Sequence, residues 1–386
     1  MYGRTAAIVG AAHSQIGEIP GVTSQGLMAD AAIAAIADAG LTPKDIDGIL
    51  VRGPDDEYAF QQQLGERLGL NVSFTTSLDN GGASQTLSVI LAAMAIEAGF
   101  ATTVLCGYAR NSWSRTRMPG SRKARMNQST AARTREWRDS WGYFGEPATH
   151  ALGAQRHMAM YGTTKEHLGH IAVSLREHAS RNPSAQMQAP LTMEEYLDGR
   201  AIVDPFGIYD CSLRTDAGGA VVVTSLDRAK DLPHTPVIVR GFGSHNNLTG
   251  WWVGDNMVKT AARQSGEMAY RMAEVDPQDI DTAQLYDCFT YMVLAQIEDY
   301  GFCEKGAGGE FIASGALRLD GAIPTNTSGG QLSEGHVEGM LQVVEGVRQL
   351  RHEYPEHRQV PDARLALISG HGGNTVCHTT LILERG

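Results

Sequence analysis

The chain has 386 residues, 42% of them hydrophobic, with 44 glycines and a net charge of −11. That length exceeds one typical core and predicts two domains, the composition fits a compact α/β protein with many tight turns, and the negative balance argues against a nucleic-acid or anionic-membrane binder. No apolar run reaches the roughly 18 residues of a membrane span, and five cysteines without a CxxC spacing point to a reducing, cytoplasmic setting with neither a disulfide framework nor a metal site.

The first residues lead straight into an apolar strand over 6–10, so no signal peptide is expected. An alanine-rich amphipathic helix is predicted over 31–39. Pro43-Lys44-Asp45-Ile46-Asp47 then turns the chain into a short apolar strand over 48–51. Segment 77–85 holds Gly81-Gly82 and opens a long helical run over 87–98, followed by a strand over 103–106 that leaves through a glycine. Residues 110–138 break this pattern. They are basic, carry Trp113, Pro119-Gly120 and Trp137 with Trp141 just beyond, and read as a long insertion loop with short helical pieces. A second excursion of loop and helix covers 150–204. Both would lie over strand ends, where sheets of this kind build their sites. Arg115, Arg117, Arg122, Lys123 and Arg125 in the basic loop are candidates for phosphate contacts, because arginine meets phosphate through charge-assisted, bidentate bonds. A solvated loop, or one packed on a partner subunit, is the competing reading.

The order then repeats. A helix over 260–274 leads to Pro277-Gln278-Asp279-Ile280-Asp281 and a strand over 282–285, as 43–47 led to 48–51. Gly329-Gly330 answers Gly81-Gly82, the strand over 365–368 answers 103–106, and 376–383 answers 218–224. Four landmarks in one order indicate duplication, and two copies indicate a doubled α/β domain rather than a solenoid. The expected division is an N-terminal half over 1–227, with its insertion at about 110–204, and a C-terminal half over 228–386. The second glycine turn differs in chemistry. His336 stands between Gly335 and Gly339, just before a helical run over 340–350, where glycine allows close approach of a ligand and a helix start offers oriented N–H groups.

These residues resemble the thiolase superfamily over essentially the whole chain, in particular the sterol-carrier-protein and lipid-transfer-protein-type thiolases. The resemblance rests on Tyr286-Asp287-Cys288-Phe289, Tyr300 to Gly306, Asn326 to Gly339, Tyr209-Asp210-Cys211-Ser212 leading to Asp216, Tyr161-Gly162-Thr163-Thr164 and Asn182-Pro183. It implies a five-layered αβαβα fold of two duplicated halves, dimeric, acting on coenzyme A thioesters. The departures from the family pattern matter as much. Glycine stands at position 82, where such thiolases carry the nucleophilic cysteine, and the second cysteine is missing from Ser369-Gly370-His371-Gly372. Without a thiolate no acyl group can be held covalently between half-reactions. Ser84 reads as a helix cap, and Cys106, Cys288 and Cys377 as small core residues.

His336 is retained, and the resemblance implies that it holds the thioester carbonyl and the enolate that develops. Tyr286 stands where relatives place a histidine or asparagine, and its phenol can trade a proton with a substrate alcohol when its environment is tuned. His371 is a further acid or base, and His378 reads as structural. Tyr286 and His336 are expected to line a cleft rather than the core. A site with these groups and no nucleophile suits retro-aldol cleavage of a β-hydroxyacyl-coenzyme A, similar to the thiolase-like aldolases that shorten steroid side chains. That reading needs no covalently bound cofactor, since coenzyme A arrives as part of the substrate. It admits a homodimer and a small OB-fold, zinc-ribbon partner. Two alternatives stay open: a carbon–carbon acyltransferase using Ser84 or Cys288, and a non-catalytic acyl-coenzyme A or lipid binder.

Overall fold

The computed structural model describes residues 5–54, 57–117, 145–247, 257–373 and 376–386. Arg122, Lys123 and Arg125 lie outside them, as do Trp137 and Trp141. The strands are β1 (Ala6–His13), β2 (Gly48–Arg52), β3 (Phe74–Thr75), β4 (Thr103–Asn111), a two-stranded ribbon of β5 (Ala201–Val203) and β6 (Phe206–Gly207), β7 (Asp216–Ser225), β8 (Val237–Asn246), β9 (Thr282–Gln284), β10 (Leu365–Gly372) and β11 (Cys377–Arg385). The helices that shape the argument are α1 (Ser24–Asp38), α2 (Ser84–Glu97), α3 (Ser112–Arg117), α4 (Gly145–Tyr161), α5 (Lys165–Ser180), α6 (Ala262–Ala273), α7 (Thr290–Asp299), α8 (Gly330–Ser333) and α9 (Met340–Arg351).

Among the described residues, nine strands join in the order β3-β2-β4-β7-β1-β8-β11-β10-β9. Reading outward from the middle, β1-β7-β4-β2 on one side matches β8-β11-β10-β9 on the other. Next to β9, Thr325 bridges in parallel to Ala283, where β3 lies on the first side. Pro43–Asp45 and Pro277–Asp279 are both single 3₁₀ turns entering the equivalent strands β2 and β9. The two sets of strands meet along a short seam, Ala7↔Ile238 and Ile8↔Val237, so the sheet is continuous while its halves turn to face each other.

Alternation along the strands creates three cores among the described residues. In β7, Val221 and Val223 point to a central layer while Ala220 and Val222 point outward against α1. The central layer holds α2 and α9, which both pack against β7 and β1 from one half and β10 and β11 from the other. On the far side, Leu367 and Ile382 face α6, α7 and the insertion helices. The layers are therefore helix, sheet, helix, sheet, helix, as the resemblance implies. α7 is buried along its whole length and so shows no amphipathic period in its sequence. The excursion expected over 150–204 is largely regular, comprising most of α4, all of α5, a short helix over Met193–Leu197 and β5.

Candidate active site

Tyr286 lies just past the end of β9, where the strand gives way to a tightly bonded loop. Its N–H donates to Ser369 Oγ (2.8 Å), Ser369 Oγ donates to Gln296 Oε1 (2.5 Å), and Gln296 Nε2 donates back to the Tyr286 carbonyl (2.8 Å). One residue on, the Asp287 carboxylate accepts from the N–H groups of Gln331 (2.9 Å) and Leu332 (3.2 Å) and from Gln342 Nε2 (2.8 Å). Asp287 thereby caps α8 and ties the tyrosine segment to the glycine turn. Asn326 completes the link, its side chain accepting from the Leu285 N–H (2.6 Å) and donating to the Leu285 carbonyl (2.9 Å).

The ring of Tyr286 occupies the space in front of Gly82. A Cβ built on Gly82 would fall inside van der Waals contact with Cε2, Cζ and Oη of Tyr286. The phenol thus stands where a side chain at position 82 would have to go. On its other edge the ring meets Gly339, whose φ of +88° favours glycine and where a Cβ would stand in tight contact, 3.2 Å from Tyr286 Cδ2. Tyr286 is 5% exposed and belongs to the apolar core. The ring is therefore more enclosed than the open cleft expected from the sequence, while His336 beside it is half-buried. Burial raises its phenol well above the ordinary value, with the negative charge of Glu338 acting the same way, so the group is a neutral O–H donor.

His336 reaches Tyr286 from the glycine turn, Nε2 lying 3.5 Å from Tyr286 Oη with the rings edge-on. Its N–H donates to Thr215 Oγ1 (3.0 Å), and Ser212 Oγ lies 3.2 Å from Nδ1. The nearby Leu213 carbonyl favours a proton on the ring. Both ring contacts are to hydroxyls, Ser212 Oγ at Nδ1 and Tyr286 Oη at Nε2, so a neutral ring with its hydrogen on Nδ1 would present its Nε2 lone pair to Tyr286. Burial, with the positive charge of Arg110 second, brings His336 down to about 3, and the ring is neutral at pH 7.

His371 comes from the end of β10, with its ring centroid 5.4 Å from that of Tyr286. Its Nδ1 lies 3.1 Å from Nε2 of His378, its cross-strand partner on β11, and its Nε2 lies 3.4 Å from Nε2 of His150 on α4. Cys288 closes the group, with candidate metal-ligand atoms of His150, Cys288 and His371 all within 4.8 Å of one another. Among the described residues, these three and the half-exposed Asp38, His234 and Glu353 are the groups with ligand spacing.

The structure therefore brings Tyr286, His336 and His371 together. Arg115 and Arg117 lie on α3, at the entrance to the insertion. That helix is started by Asp216 of β7, whose carboxylate accepts from the N–H groups of Trp113 (2.9 Å) and Ser114 (3.0 Å). Arg117 stacks over the Trp113 ring, 3.9 Å from its centroid. Sequence reasoning missed Glu338, which receives Arg52 (2.8 Å) and Arg110 (3.3 Å) beside the site. Its position inside the glycine turn and the site of Arg110 at the end of β4 were the available signals. It also missed His150, which nothing in the local sequence of α4 marks. An open cleft of ≈ 960 Å³ between α6 and residues 298–305 includes none of these groups.

Residues 247–385 match the family described as thiolase C-terminal domain-like. The chain is 35% identical to a steroid side-chain-cleaving aldolase of Thermomonospora curvata over 90% of each chain. It is 33% identical to the 17-hydroxy-3-oxo-4-pregnene-20-carboxyl-CoA lyase of Mycobacterium tuberculosis, over 91% of this chain and 92% of that one. Among solved structures, the Ltp2-ChsH2(DUF35) aldolase superposes with a TM-score of 0.92 at 32% identity, covering 100% of this chain and 99% of that one.

Proposed function

This chain belongs to the thiolase-like superfamily, and within it we propose a carbon–carbon lyase that cleaves a β-hydroxyacyl-coenzyme A thioester by a retro-aldol reaction. The relatives' names point to a steroid-type acyl group. The observation that carries the reading is the Tyr286 hydroxyl standing in the space of the missing nucleophile at Gly82. A site that cannot hold an acyl group covalently but offers a neutral phenol against an imidazole lone pair is suited to moving one proton.

The β-hydroxyl gives its proton to Tyr286 Oη as Tyr286 passes its own to Nε2 of His336. The Cα–Cβ bond breaks, and its electron pair moves into the thioester to form the enolate, leaving a ketone or aldehyde. The His336 imidazolium faces the new enolate, stabilises it, and returns the proton to Cα. No proton is gained or lost overall. The low pKa of His336 makes the imidazolium short-lived and the return step favourable. His371, against the Tyr286 ring, is the second proton acceptor. Ser212 and Thr215 orient His336 without meeting the substrate.

Arg115 and Arg117, with Arg122, Lys123 and Arg125, are assigned to the phosphates of coenzyme A. The assembly assigned is a homodimer joined by a DUF35-type OB-fold subunit. The halves 1–227 and 228–386 are taken as the duplicated units. No described helix is long and apolar enough to cross a membrane. The test is incubation of the protein, alone and with a DUF35-type subunit, with a panel of β-hydroxyacyl- and β-ketoacyl-coenzyme A esters, followed by chromatography of the coenzyme A products. Release of a ketone or aldehyde and a shortened thioester from the hydroxy substrates is expected. Thiolysis of the keto substrates without cleavage of the hydroxy ones would overturn the reading in favour of an acyltransferase, and binding without turnover would favour a lipid carrier.

A further inference from the structure

His150, Cys288 and His371 come from three separate elements, and no run of the sequence brings them near one another. All three are buried. The ring nitrogens define the arrangement. Nδ1 of His150 lies 2.9 Å from the Glu146 backbone carbonyl, which can only accept, so Nδ1 carries the hydrogen and Nε2 presents a lone pair. That lone pair faces Nε2 of His371 at 3.4 Å. Two nitrogens bound to one zinc at the usual ~2.0–2.1 Å lie about 3.3–3.4 Å apart in a tetrahedron. The third candidate ligand, Cys288, has its sulfur within 4.8 Å of both, which admits the ~3.6 Å nitrogen–sulfur edge of the same tetrahedron.

The surroundings are those a bound ion needs. Ligating histidines donate their second N–H to a carbonyl or another fixed acceptor. His150 does so to Glu146, and His371 has His378 Nε2 at 3.1 Å from its Nδ1. His378 Nδ1 is buried with no hydrogen-bond partner among the described residues. In the metal-free chain, His378 Nε2–H donates to His371 Nδ1, and His371 Nε2–H donates to His150. When an ion takes the two Nε2 lone pairs, the hydrogen of His371 moves to its Nδ1 and that of His378 to its vacant Nδ1. The Cys288 thiol loses its proton to solvent. The exchange balances, with one proton released per ion.

The geometry points to a His₂Cys site for a borderline-soft divalent cation of the zinc class, built by His150, Cys288 and His371. Two imidazoles and a thiolate select such ions over magnesium or calcium, which prefer oxygen ligands. The inference does not depend on the aldolase reading, although an ion-bound His371 no longer accepts a proton and leaves that transfer to Tyr286 and His336 alone; its test reads the metal itself.

Chelator-treated full-length protein is titrated with Co²⁺ and followed by absorption. One equivalent is expected to give tetrahedral d–d bands and a sulfur-to-cobalt charge-transfer band, both abolished by one equivalent of Zn²⁺. Cys288→Ser should remove the charge-transfer band, and His150→Phe, which keeps a ring against Phe289, should remove tight binding. His378→Leu should weaken binding about 10–100-fold, as loss of an outer-shell partner does. His234→Ala, at the half-exposed cluster with Asp38 and Glu353, should leave the spectrum unchanged. Circular dichroism of each variant separates lost ligands from lost folding. Absence of the charge-transfer band in the parent protein, or its survival in folded Cys288→Ser, would overturn the assignment.

Discussion

Replacing one atom group at Tyr286 separates packing from chemistry. Tyr286→Phe keeps the ring between Gly82 and Gly339 and removes only the hydroxyl, so the chain should fold while kcat for a cleaved β-hydroxyacyl-coenzyme A falls about 10²–10⁴-fold, the usual loss for a positioned acid or base. Parent-like turnover would make Tyr286 a filler and shift proton transfer to His371. Gly82→Ala tests the same contact from the other side. The new methyl must displace the ring, and overpacking of this kind costs about 1–3 kcal/mol. In urea unfolding, the Gly82→Ala loss should shrink when Tyr286→Ala is combined with it, because neighbours in contact are not additive. Additive losses would show that the methyl is accommodated elsewhere. With glycine at 82, intact-mass spectrometry after mixing with acyl-coenzyme A should show the unmodified chain. An adduct on Ser84 or Cys288 would revive the acyltransferase. Since His336 stays neutral down to about pH 3 and the Tyr286 phenol stays protonated above its ordinary value, kcat should show no limb near the ordinary histidine value of about 6.5. A limb there would mean that His336 is solvated in the working enzyme.

At the scale of elements, the strand ends β10 and β11 and helix α4 gather neutral imidazoles, and this carries a stability consequence. Burial lowers His150 to about 4 and His378 to about 3, and His371 well below its free value. The folded state therefore binds fewer protons than the unfolded one below the free histidine value. This contribution to stability is whole above about pH 6.5 and is lost as pH falls toward 3–4. Urea unfolding at about pH 7 and about pH 5 should show the decline, and His378→Leu should flatten it. An equal slope in the variant would remove the histidine chain as its cause. The basic helix α3 is a second element with its own test. Changing Arg115 and Arg117 to Gln should weaken coenzyme A binding in a salt-dependent manner if they meet phosphate. Unchanged affinity with an altered oligomeric state would assign the helix to subunit docking instead.

The whole molecule is organised around the central layer, where Val89 of α2 and Val343 and Val347 of α9 share one core with strand residues from both sides of the β1–β8 seam. Neither set of strands can bury its inner face alone. If residues 1–227 and 228–386 are the duplicated units, the two pieces should be insoluble when expressed separately and should assemble when expressed together. The readout is co-purification through a tag on one piece. A separately soluble, cooperatively unfolding N-terminal piece would refute an obligate shared core.

The doubled α/β plan, its Pro-led turns at Pro43 and Pro277, and the loss of the nucleophile at Gly82 are local patterns, and each could be read along the chain. Tyr286, His336 and His371 could be named there as well, because each sits in or beside a recognisable glycine turn or motif. Other features exist only between distant segments. The sequence does not state that the Tyr286 ring fills the space over Gly82, a relation across some two hundred residues that depends on how β9 and α2 pack. It does not state that Tyr286 is buried, that Glu338 gathers Arg52 and Arg110, or that His150 of the insertion lies against His371. These are decided by tertiary packing, because side-chain period and turn chemistry act over a few residues, whereas burial, proton placement and ligand spacing depend on which faces the sheet and the central helices bring together.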